Sequence, residues 1–217
     1  DEYFIKKFRF NPNTIVLDRD QDLLWVTGRN SNDVYALSLS TLLPVQRIEV
    51  GRQPYGADIL GGILYVANFE SGTVSRIDTA TQARILPDIP VGDEPSWVAA
   101  DPITGRVWVT LHRGNGVAIL VHDSVWRKVY TGPGAFAVAI DAGRRQVYIG
   151  NRDSKNVTVL DADGAHIIRT LDPGGSPFGM AVDPVSGNLY VLHGPPRGNC
   201  PATGMAIFDH TGLKLGD

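Results

Sequence analysis

Five segments of the sequence end a predicted strand in the same way: LWVTG (24–28), LYVAN (64–68), VWVTL (107–111), VYIGN (147–151) and LYVLH (189–193). Their aromatic residues recur every 40 to 43 residues: Trp25, Tyr65, Trp108, Tyr148 and Tyr190. An aspartate lies seven positions before the aromatic residue in four of the five segments: Asp18, Asp101, Asp141 and Asp183. A fixed period of this length indicates a repeat architecture. The chain therefore contains five copies of one structural unit.

Each repeat divides into four short segments that read as β-strands. In the fourth repeat they are FAVAID (136–141), VYIGN (147–151), VTVLD (157–161) and IIRTLDPG (167–174). Apolar and polar residues alternate along such segments, which is typical of half-buried strands, and Gly, Pro and Asp mark the turns between them. Four antiparallel strands in about 40 residues are the signature of a β-propeller blade. The sequence therefore predicts an all-β fold, a β-propeller of four-stranded antiparallel blades.

The predicted blades divide a single propeller domain that covers 1–217. They span approximately 12–53, 54–94, 95–134, 135–176 and 177–217, and residues 1–11 supply the outer strand of the closing or preceding blade. The first strands are rich in small apolar residues, which suits the crowded axis of a propeller. The fourth strands carry charged residues, which protect an outer sheet edge from pairing with other chains.

The two ends of the sequence leave two arrangements open. Residues 4–10 read as a fourth strand, and the fifth repeat is expected to stop after its third strand, at Asp209. If the N-terminal strand pairs with 205–209, it completes a closed five-bladed ring. The alternative is a fragment of a six- or seven-bladed propeller.

Composition excludes several classes of protein. The 217 residues are 43% hydrophobic, which is too many for a disordered chain, and no apolar run is long enough to span a membrane. The formal net charge of −3 argues against a nucleic-acid binder, which normally has a basic excess. The one cysteine, Cys200, allows neither a disulfide framework nor a cysteine-ligated zinc site within the chain.

The YVAN, YIGN and WVTG segments, the IDTAT run at 77–81 and the VGxxP turns resemble the YVTN-type β-propeller repeat. The resemblance covers nearly the whole chain. It implies a secreted, periplasmic or cell-surface protein, because that repeat occurs in such proteins of bacteria and archaea. It does not imply one function, because related propellers serve as surface-layer modules, subunits of cofactor enzymes and lactonase-like enzymes. No catalytic residues of the family map onto this sequence.

Basic residues and histidines recur where the second strands end, and propeller geometry is expected to gather them on one loop-rich face. The aromatic residues that start the first strands are expected just inside this face. The candidate binding residues are Arg29, His112, Arg113, Arg152, Asp153, His193, Arg197, Tyr55, Trp97, Phe136 and Phe178. Such a face suits a protein partner or an anionic ligand. The alternative is that these residues have no binding role: the charged residues would be solvated loop residues, and the aromatic residues would pack between blades.

No catalytic residue, metal site or cofactor is predicted. His112 and His193 could share a metal with Asp153 or Glu70 only if separate blades bring them together. Asn68 and Asn151 read as turn residues, because asparagine tolerates positive φ, and a calcium-lactonase role is the alternative. The loop from Gly194 to Gly204 interrupts the repeat and carries Cys200, which suggests a contact with another molecule.

These patterns favour a non-enzymatic binding or scaffolding propeller at the cell surface or in the periplasm. The alternative is a propeller enzyme or enzyme subunit, lactonase-like or redox-associated, with a site at the mouth of the channel. Three or more carboxylate, amide or imidazole groups converging at the axis would distinguish the enzyme from the binding module.

Overall fold

The computed structural model describes residues 11–164, 166–194 and 204–216. Within these ranges the chain is all-β and contains no helix. Its strands form five four-stranded antiparallel sheets, and the strands of each sheet are adjacent in the order in which they follow one another along the chain. The predicted fold class is confirmed.

Each sheet takes four consecutive strands. Sheet 1 contains β1 (Pro12–Asp18), β2 (Leu23–Gly28), β3 (Asp33–Ser38) and β4 (Pro44–Glu49). Sheet 2 contains β5 (Pro54–Leu60), β6 (Ile63–Asn68), β7 (Thr73–Asp78) and β8 (Ala83–Pro90). Sheet 3 contains β9 (Pro95–Asp101), β10 (Arg106–Leu111), β11 (Gly116–Val121) and β12 (Ser124–Tyr130). Sheet 4 contains β13 (Ala135–Asp141), β14 (Gln146–Asn151), β15 (Asn156–Asp161) and β16 (Ile167–Leu171). Sheet 5 contains β17 (Ser176–Val182), β18 (Leu189–Gly194), β19 (Gly204–Phe208) and β20 (Lys214–Gly216).

The chain divides into two compact units, Asp1–Val98 and Ala99–Asp217. Sheets 1 and 2 belong to the first unit, sheets 4 and 5 belong to the second, and the boundary falls within β9. The assignment of all 217 residues to a single propeller domain stays a prediction.

In the first unit, sheets 1 and 2 bury a shared apolar core. Trp25 of β2 is 1% exposed and lies in one cluster with Val34 and Ala36 of its own sheet. Leu64 and Val66 of β6 belong to the same cluster. Side chains alternate along a strand, so the residues of β2 at positions 23, 25 and 27 face sheet 2.

In the second unit, sheets 4 and 5 repeat this arrangement. Tyr148 is 1% exposed and shares a buried cluster with Val159 of its own sheet. Leu189 and Val191 of β18 supply the other side of the cluster. The aromatic residue of the second strand therefore packs toward the following sheet in both units, and the 40-residue period is the period of this contact.

The aspartates that precede the aromatic residues close the turn between the first and second strands. Oδ1 of Asp101 accepts a hydrogen bond from the backbone N–H of Ile103 (2.9 Å), and Oδ2 accepts one from the hydroxyl of Thr104 (2.7 Å). Asp183 accepts from the backbone N–H of Val185 (3.0 Å) and from the hydroxyl of Ser186 (2.6 Å). A short carboxylate is favoured here because it satisfies turn amides that have no partner in the sheet.

The buried asparagines differ from their predicted role as turn residues. Asn151 is the last residue of β14, is fully buried and donates from Nδ2 to Thr158 Oγ1 (3.0 Å) and Asn156 Oδ1 (2.8 Å). Its Oδ1 accepts from the hydroxyl of Thr131 (2.9 Å), which precedes sheet 4. Asn68, the last residue of β6, likewise donates to the hydroxyls of two residues in β7. The structural role of both asparagine side chains is therefore to form buried hydrogen bonds.

The residues with positive φ lie instead four positions after the end of each second strand, where Asn68 and Asn151 stand in their repeats. Asn32, Gly72, Asn115 and Lys155 occupy equivalent places in the turns between second and third strands, with φ between 54° and 68°. The left-handed conformation is the one that such a turn needs before the third strand begins. The interpretation of Asn68 and Asn151 as positive-φ residues is therefore wrong, because that conformation lies inside the turn and they lie at the end of a strand.

The fifth repeat has a fourth strand, contrary to expectation. β20 pairs with β19 through Ile207 opposite Gly216 and Phe208 opposite Lys214. The turn before β20 is closed by Asp209, which accepts hydrogen bonds from the hydroxyl of Thr211 (2.7 Å) and the backbone N–H of Leu213 (2.9 Å). The predicted strand at 4–10, expected beside 205–209, lies outside the described residues.

Replacing Asn151 by alanine tests the buried hydrogen-bond network. We expect Asn151→Ala to lower the free energy of unfolding by about 2–3 kcal/mol, because the buried hydroxyl of Thr131 loses its acceptor and the hydroxyl of Thr158 loses a donor. Urea denaturation followed by intrinsic fluorescence measures the change. The exposed Asn30 is the control, and Asn30→Ala should change the free energy by less than about 0.5 kcal/mol. Equal effects in the two variants would contradict the structural role.

The turn aspartates predict how stability depends on pH. Hydrogen bonds from Thr211 and Ser186 lower the pKa values of Asp209 and Asp183 below the ordinary aspartate value. A pKa that is lower in the folded state stabilises the protein above the unfolded-state pKa, about 3.9, and that contribution is lost as pH falls through the folded-state pKa. We expect the thermal midpoint to fall below about pH 4.

The Asp209→Asn variant separates this effect from general acid denaturation. Its midpoint should be lower than that of the parent at pH 7, and the difference should shrink toward pH 3. Asp20→Asn, at an exposed aspartate, is the matched control. A constant difference between parent and Asp209→Asn across the pH range would count against the turn carboxylate.

Candidate functional site

In the first unit, the residue that follows β2 stacks on the start of β5. The Cζ atom of Arg29 lies 4.7 Å from the ring centroid of Tyr55, at a distance typical of a cation–π contact. The Tyr55 ring lies 5.1 Å from that of Phe69, the residue that follows β6. We call Arg29, Tyr55 and Phe69 the first stack. All three side chains are half-buried.

In the second unit, Arg152, the residue that follows β14, contacts two aromatic rings. The Cζ atom of Arg152 lies 4.7 Å from the ring centroid of Phe136 and 4.4 Å from that of Phe178. The His112 ring meets Phe136 edge-on, with the two centroids 6.0 Å apart. We call His112, Phe136, Arg152 and Phe178 the second stack. It joins residues of three successive sheets, which are separated by up to 66 positions in sequence.

Hydroxyl groups of the second strands position these aromatic residues. Thr27 of β2 donates to the carbonyl oxygen of Tyr55 (2.8 Å), and Thr110 of β10 donates to that of Phe136 (2.7 Å). At the next joint, the hydroxyl of Ser176 donates to the carbonyl oxygen of Arg152 (2.7 Å). Each of these hydrogen bonds joins a residue at or near the end of a second strand to the first strand of the following sheet. The stacks are therefore built directly on the joints between sheets.

Two of the predicted rim residues, Arg113 and Asp153, are exposed beside the second stack. Arg113 directly follows His112 in the turn between β10 and β11. Asp153 follows Arg152, whose backbone N–H donates to the carbonyl of Gly134 (2.8 Å). Gly134 has a φ of 74°, and a Cβ on it would lie 2.7 Å from Cγ of Asp153. The close approach of these two turns therefore requires glycine at 134.

The remaining predicted residues have other surroundings. Trp97 lies half-buried in β9, where Gly56 approaches its backbone so closely that a Cβ on Gly56 would be 2.7 Å from Cα of Trp97. His193 lies in β18 opposite Gly204, whose Cβ would meet its ring at 2.8 Å. Arg197 and Cys200 lie outside the described residues. The assignment of the predicted residues to a binding site stays a prediction.

Opposite charges lie close to the cations of the first unit. Arg52, in the turn before β5, has its Nε 3.5 Å from a carboxylate oxygen of Glu70, and both side chains are exposed. Such a solvated pair contributes little to stability, but it neutralises the cation locally. In this unit, Arg29 therefore contributes more than Arg52 to the positive charge of the predicted loop-rich face.

Metal coordination has no ligand set in the described part of the chain. Within residues 11–164, 166–194 and 204–216, no three His, Cys, Asp or Glu side chains lie close enough together to hold a metal ion. No helix in the same ranges is long and apolar enough to cross a membrane.

Sequence reasoning missed the hydroxyl groups that hold the stacks. Thr27 and Thr110 stand two residues after the aromatic position in WVTG and WVTL, a register that is visible in the sequence. Their recurrence beside a strand end could have indicated a bond to the next repeat. The partner, a backbone carbonyl 26 or 28 residues further along, carries no sequence signal.

Comparison with known proteins supports the fold. A chain of hydrazine synthase from Kuenenia stuttgartiensis superposes with a TM-score of 0.81 at 20% identity, over 93% of this chain. A chain of the mitotic checkpoint complex superposes with a TM-score of 0.81 at 15% identity, over 95% of this chain. This chain spans 64% of the length of each of them. Both are β-propeller proteins, and at these identities they share the architecture alone with this chain.

No protein-family model matches the sequence, and no curated protein matches it. The five sheets are accordingly described as propeller blades on the strength of their topology and of the structural likeness.

Removing one of the positioning hydroxyls tests the joint beneath the second stack. We expect Thr110→Val to lower the free energy of unfolding by about 1–2 kcal/mol, because the carbonyl of Phe136 loses a donor at a buried position. Urea denaturation measures the change. Thr170→Val on the exposed strand β16 is the control, and it should be neutral because valine suits a strand. A neutral Thr110→Val would show that this hydrogen bond does not hold the joint.

Proposed function

We propose that this protein is a non-enzymatic binding or scaffolding propeller of the YVTN repeat type, which acts at the cell surface or in the periplasm. It presents a loop-rich, partly cationic face to a protein partner or an anionic ligand. The observation that carries the proposal is the second stack, in which Arg152 contacts the rings of Phe136 and Phe178 and His112 meets Phe136 edge-on.

Stacking prepares an arginine for anion binding. Two aromatic rings lie within 5 Å of Cζ of Arg152, and contact with both of them restricts the rotation of the side chain. The N–H groups of a guanidinium lie in its plane and form a fork that matches an anionic group. A carboxylate or phosphate approaching in this plane accepts two parallel hydrogen bonds. Because the side chain is already ordered in the unbound protein, binding an anion causes a smaller loss of its conformational entropy.

Further basic and aromatic residues lie beside Arg152, so the proposed anion site is part of a larger binding surface. Arg113 is exposed one residue after His112, and the His112 ring touches Phe136 of the stack. Aromatic and arginine side chains together are the residues that most often dominate protein interfaces. The first unit repeats the pairing with Arg29 on Tyr55, so cation and aromatic ring recur at equivalent places in the repeat.

Cation–π contacts between sheets also have a purely structural explanation. A contact of this kind contributes about 0.5–2 kcal/mol without any ligand. The two roles differ in what substitution should do, because a packing role depends on the flat apolar body of the side chain while a binding role depends on its charge. A substitution that removes the charge of Arg152 should therefore weaken binding more than it destabilises the fold if the residue has a binding role.

The alternative of a propeller enzyme or enzyme subunit requires a cluster of ligands or an acid–base pair at the mouth. Among the described residues, no three His, Cys, Asp or Glu side chains lie close enough together to hold a metal ion. The YVTN-like segments support the extracellular or periplasmic location. The structural neighbours support the propeller architecture only.

The test uses immobilised poly-L-glutamate as an acidic probe and measures retention of the protein at about 0.05 and 0.3 M salt. We expect Arg113→Glu and Arg152→Gln each to weaken retention about tenfold at low salt, which corresponds to the loss of about one charge-assisted contact. The effect should shrink at high salt, because exposed charges are screened over about 8 Å.

Arg127→Glu is the matched control, since Arg127 is an exposed arginine on the outer strand β12. It makes the same charge change as Arg113→Glu and should alter retention only slightly. Urea denaturation of Arg152→Gln shows whether the stack still folds. Equal losses in Arg113→Glu and Arg127→Glu would reduce the effect to net charge and would overturn the proposed face.

A further inference from the structure

A backbone hydrogen bond closes the first three repeats at the point where the fourth strand ends. Its acceptor is the carbonyl oxygen of the positive-φ residue in the turn between the second and third strands. Its donor is the backbone N–H of a residue just after the fourth strand. The three bonds run from Val50 to Asn32 (3.0 Å), from Val91 to Gly72 (3.0 Å) and from Thr131 to Asn115 (3.2 Å).

In the fourth repeat a proline takes the place of the donor. Val157 pairs with Leu171 as Val117 pairs with Val129, so Pro173 stands at the position of Thr131. Proline has no backbone N–H. The acceptor at this place is the carbonyl oxygen of Lys155, and it receives no hydrogen bond from any residue that the structure describes.

The glycine that follows does not replace the missing donor. In the second and third repeats, the N–H groups of Gly92 and Gly132 also donate to the carbonyl of the positive-φ residue, at 3.1 and 3.2 Å. The N–H of Gly174 donates instead to Oδ1 of Asp172 (2.8 Å). The turn after β14 and the segment after β16 are therefore not joined by the bond that joins their equivalents.

A cavity of about 490 Å³ lies where these two segments are not joined. We call it the fourth-repeat pocket, and it is lined by residues 154–156, 170–172, 174 and 175. All of them belong to the second unit. Pockets that bind small ligands have volumes of about 300–1,000 Å³. The substitution of proline for a hydrogen-bond donor thus coincides with a cavity of ligand size.

The lining of the fourth-repeat pocket offers acceptors as well as donors. The carbonyl of Lys155 and the second carboxylate oxygen of Asp172 are acceptors. Asn156 uses its Oδ1 within its own turn, so its Nδ2 group is left to donate. The hydroxyl of the exposed Thr170 donates and accepts.

The charge of this lining favours a neutral ligand. Lys155 and Asp172 carry opposite charges, so an anion meets the carboxylate and a cation meets the ammonium group. Leu171, the apolar side chain of the lining, is 6% exposed and offers little surface to an apolar side chain of a peptide. A hydroxyl group is neutral and both donates and accepts. A ligand with several hydroxyl groups therefore matches the lining best.

We propose that the fourth-repeat pocket binds a neutral saccharide. Hydroxyl groups of the sugar donate to the carbonyl of Lys155 and to the carboxylate of Asp172, and they accept from Nδ2 of Asn156. The proposal is independent of the acidic partner proposed above, because it uses neither the charge of Arg152 nor the aromatic rings of the second stack. Saccharide binding should accordingly not weaken as salt rises.

Nuclear magnetic resonance of the ¹⁵N-labelled 217-residue chain tests the proposal with glucose, mannose, N-acetylglucosamine and maltose as probes. We expect at least one of them to shift the backbone amide signals of Gly174 and Gly175 saturably at about 1–10 mM. The dissociation constant should be the same at about 0.05 and 0.3 M salt. If none of the four sugars shifts these signals, the proposal is overturned.

Pro173→Val supplies the N–H that Val50 and Val91 supply in their repeats. We expect the new amide at 173 to be protected from hydrogen exchange and the affinity for the sugar to fall at least about tenfold. Pro184→Val, at an exposed proline between β17 and β18, is the matched control and should keep the parent affinity. Unchanged sugar binding beside a protected amide at 173 would contradict the proposal.

Thr170→Val keeps the test decisive if the new amide at 173 stays unprotected. Loss of the hydroxyl should weaken sugar binding about three- to tenfold, while urea denaturation should show no change in stability. An unchanged affinity would remove Thr170 and the proposed occupant from the pocket. Trialanine and triglutamate are the competing probes, and tighter binding of either at Gly174 and Gly175 would assign the pocket to a peptide or an acidic partner and overturn the saccharide.

Discussion

The packing of the second-strand aromatic side chain against the following sheet, which Trp25 and Tyr148 make, is the interaction on which the rest of the structure depends. A single four-stranded sheet cannot bury both of its faces, so each sheet needs a neighbour on either side. Trp25 and Tyr148 provide the largest side chains of this contact, and both are almost completely buried. The spacing of 40 to 43 residues between repeats is the length of chain that one sheet needs to bring the next aromatic residue to the same place.

Polar groups specify how successive sheets meet. Apolar packing fixes the distance between two sheets but tolerates sliding, whereas a buried hydrogen bond fails when either partner moves by an ångström. Thr27 and Thr110 bind the carbonyl at the start of the next sheet, and Asn151 binds Thr131, which precedes its own sheet. These bonds set the register in which the sheets lie together.

The candidate site is a consequence of these joints. Tyr55 and Phe136 are the residues whose carbonyls the threonines hold, and their rings carry the arginine and histidine side chains of the stacks. A rigid scaffold with variable loop ends is how many repeat proteins separate folding from binding. In the first four repeats, the residue four places after the strand aromatic is Arg29, Phe69, His112 and Arg152, so its chemistry varies from repeat to repeat.

The sequence by itself determined the repeat, the described strands other than β20, the turn aspartates and the fold class, because each depends on contacts within one repeat of about 40 residues. It also indicated that cations and aromatic residues recur at set places. Only the tertiary structure decided that Arg152 contacts both Phe136 and Phe178, and that Asn151 is a buried hydrogen-bonding residue. These features depend on which surface of a neighbouring sheet a side chain meets. Periodicity along the chain specifies that a residue points out of its own sheet, but the presence and shape of the next sheet decide what that residue contacts.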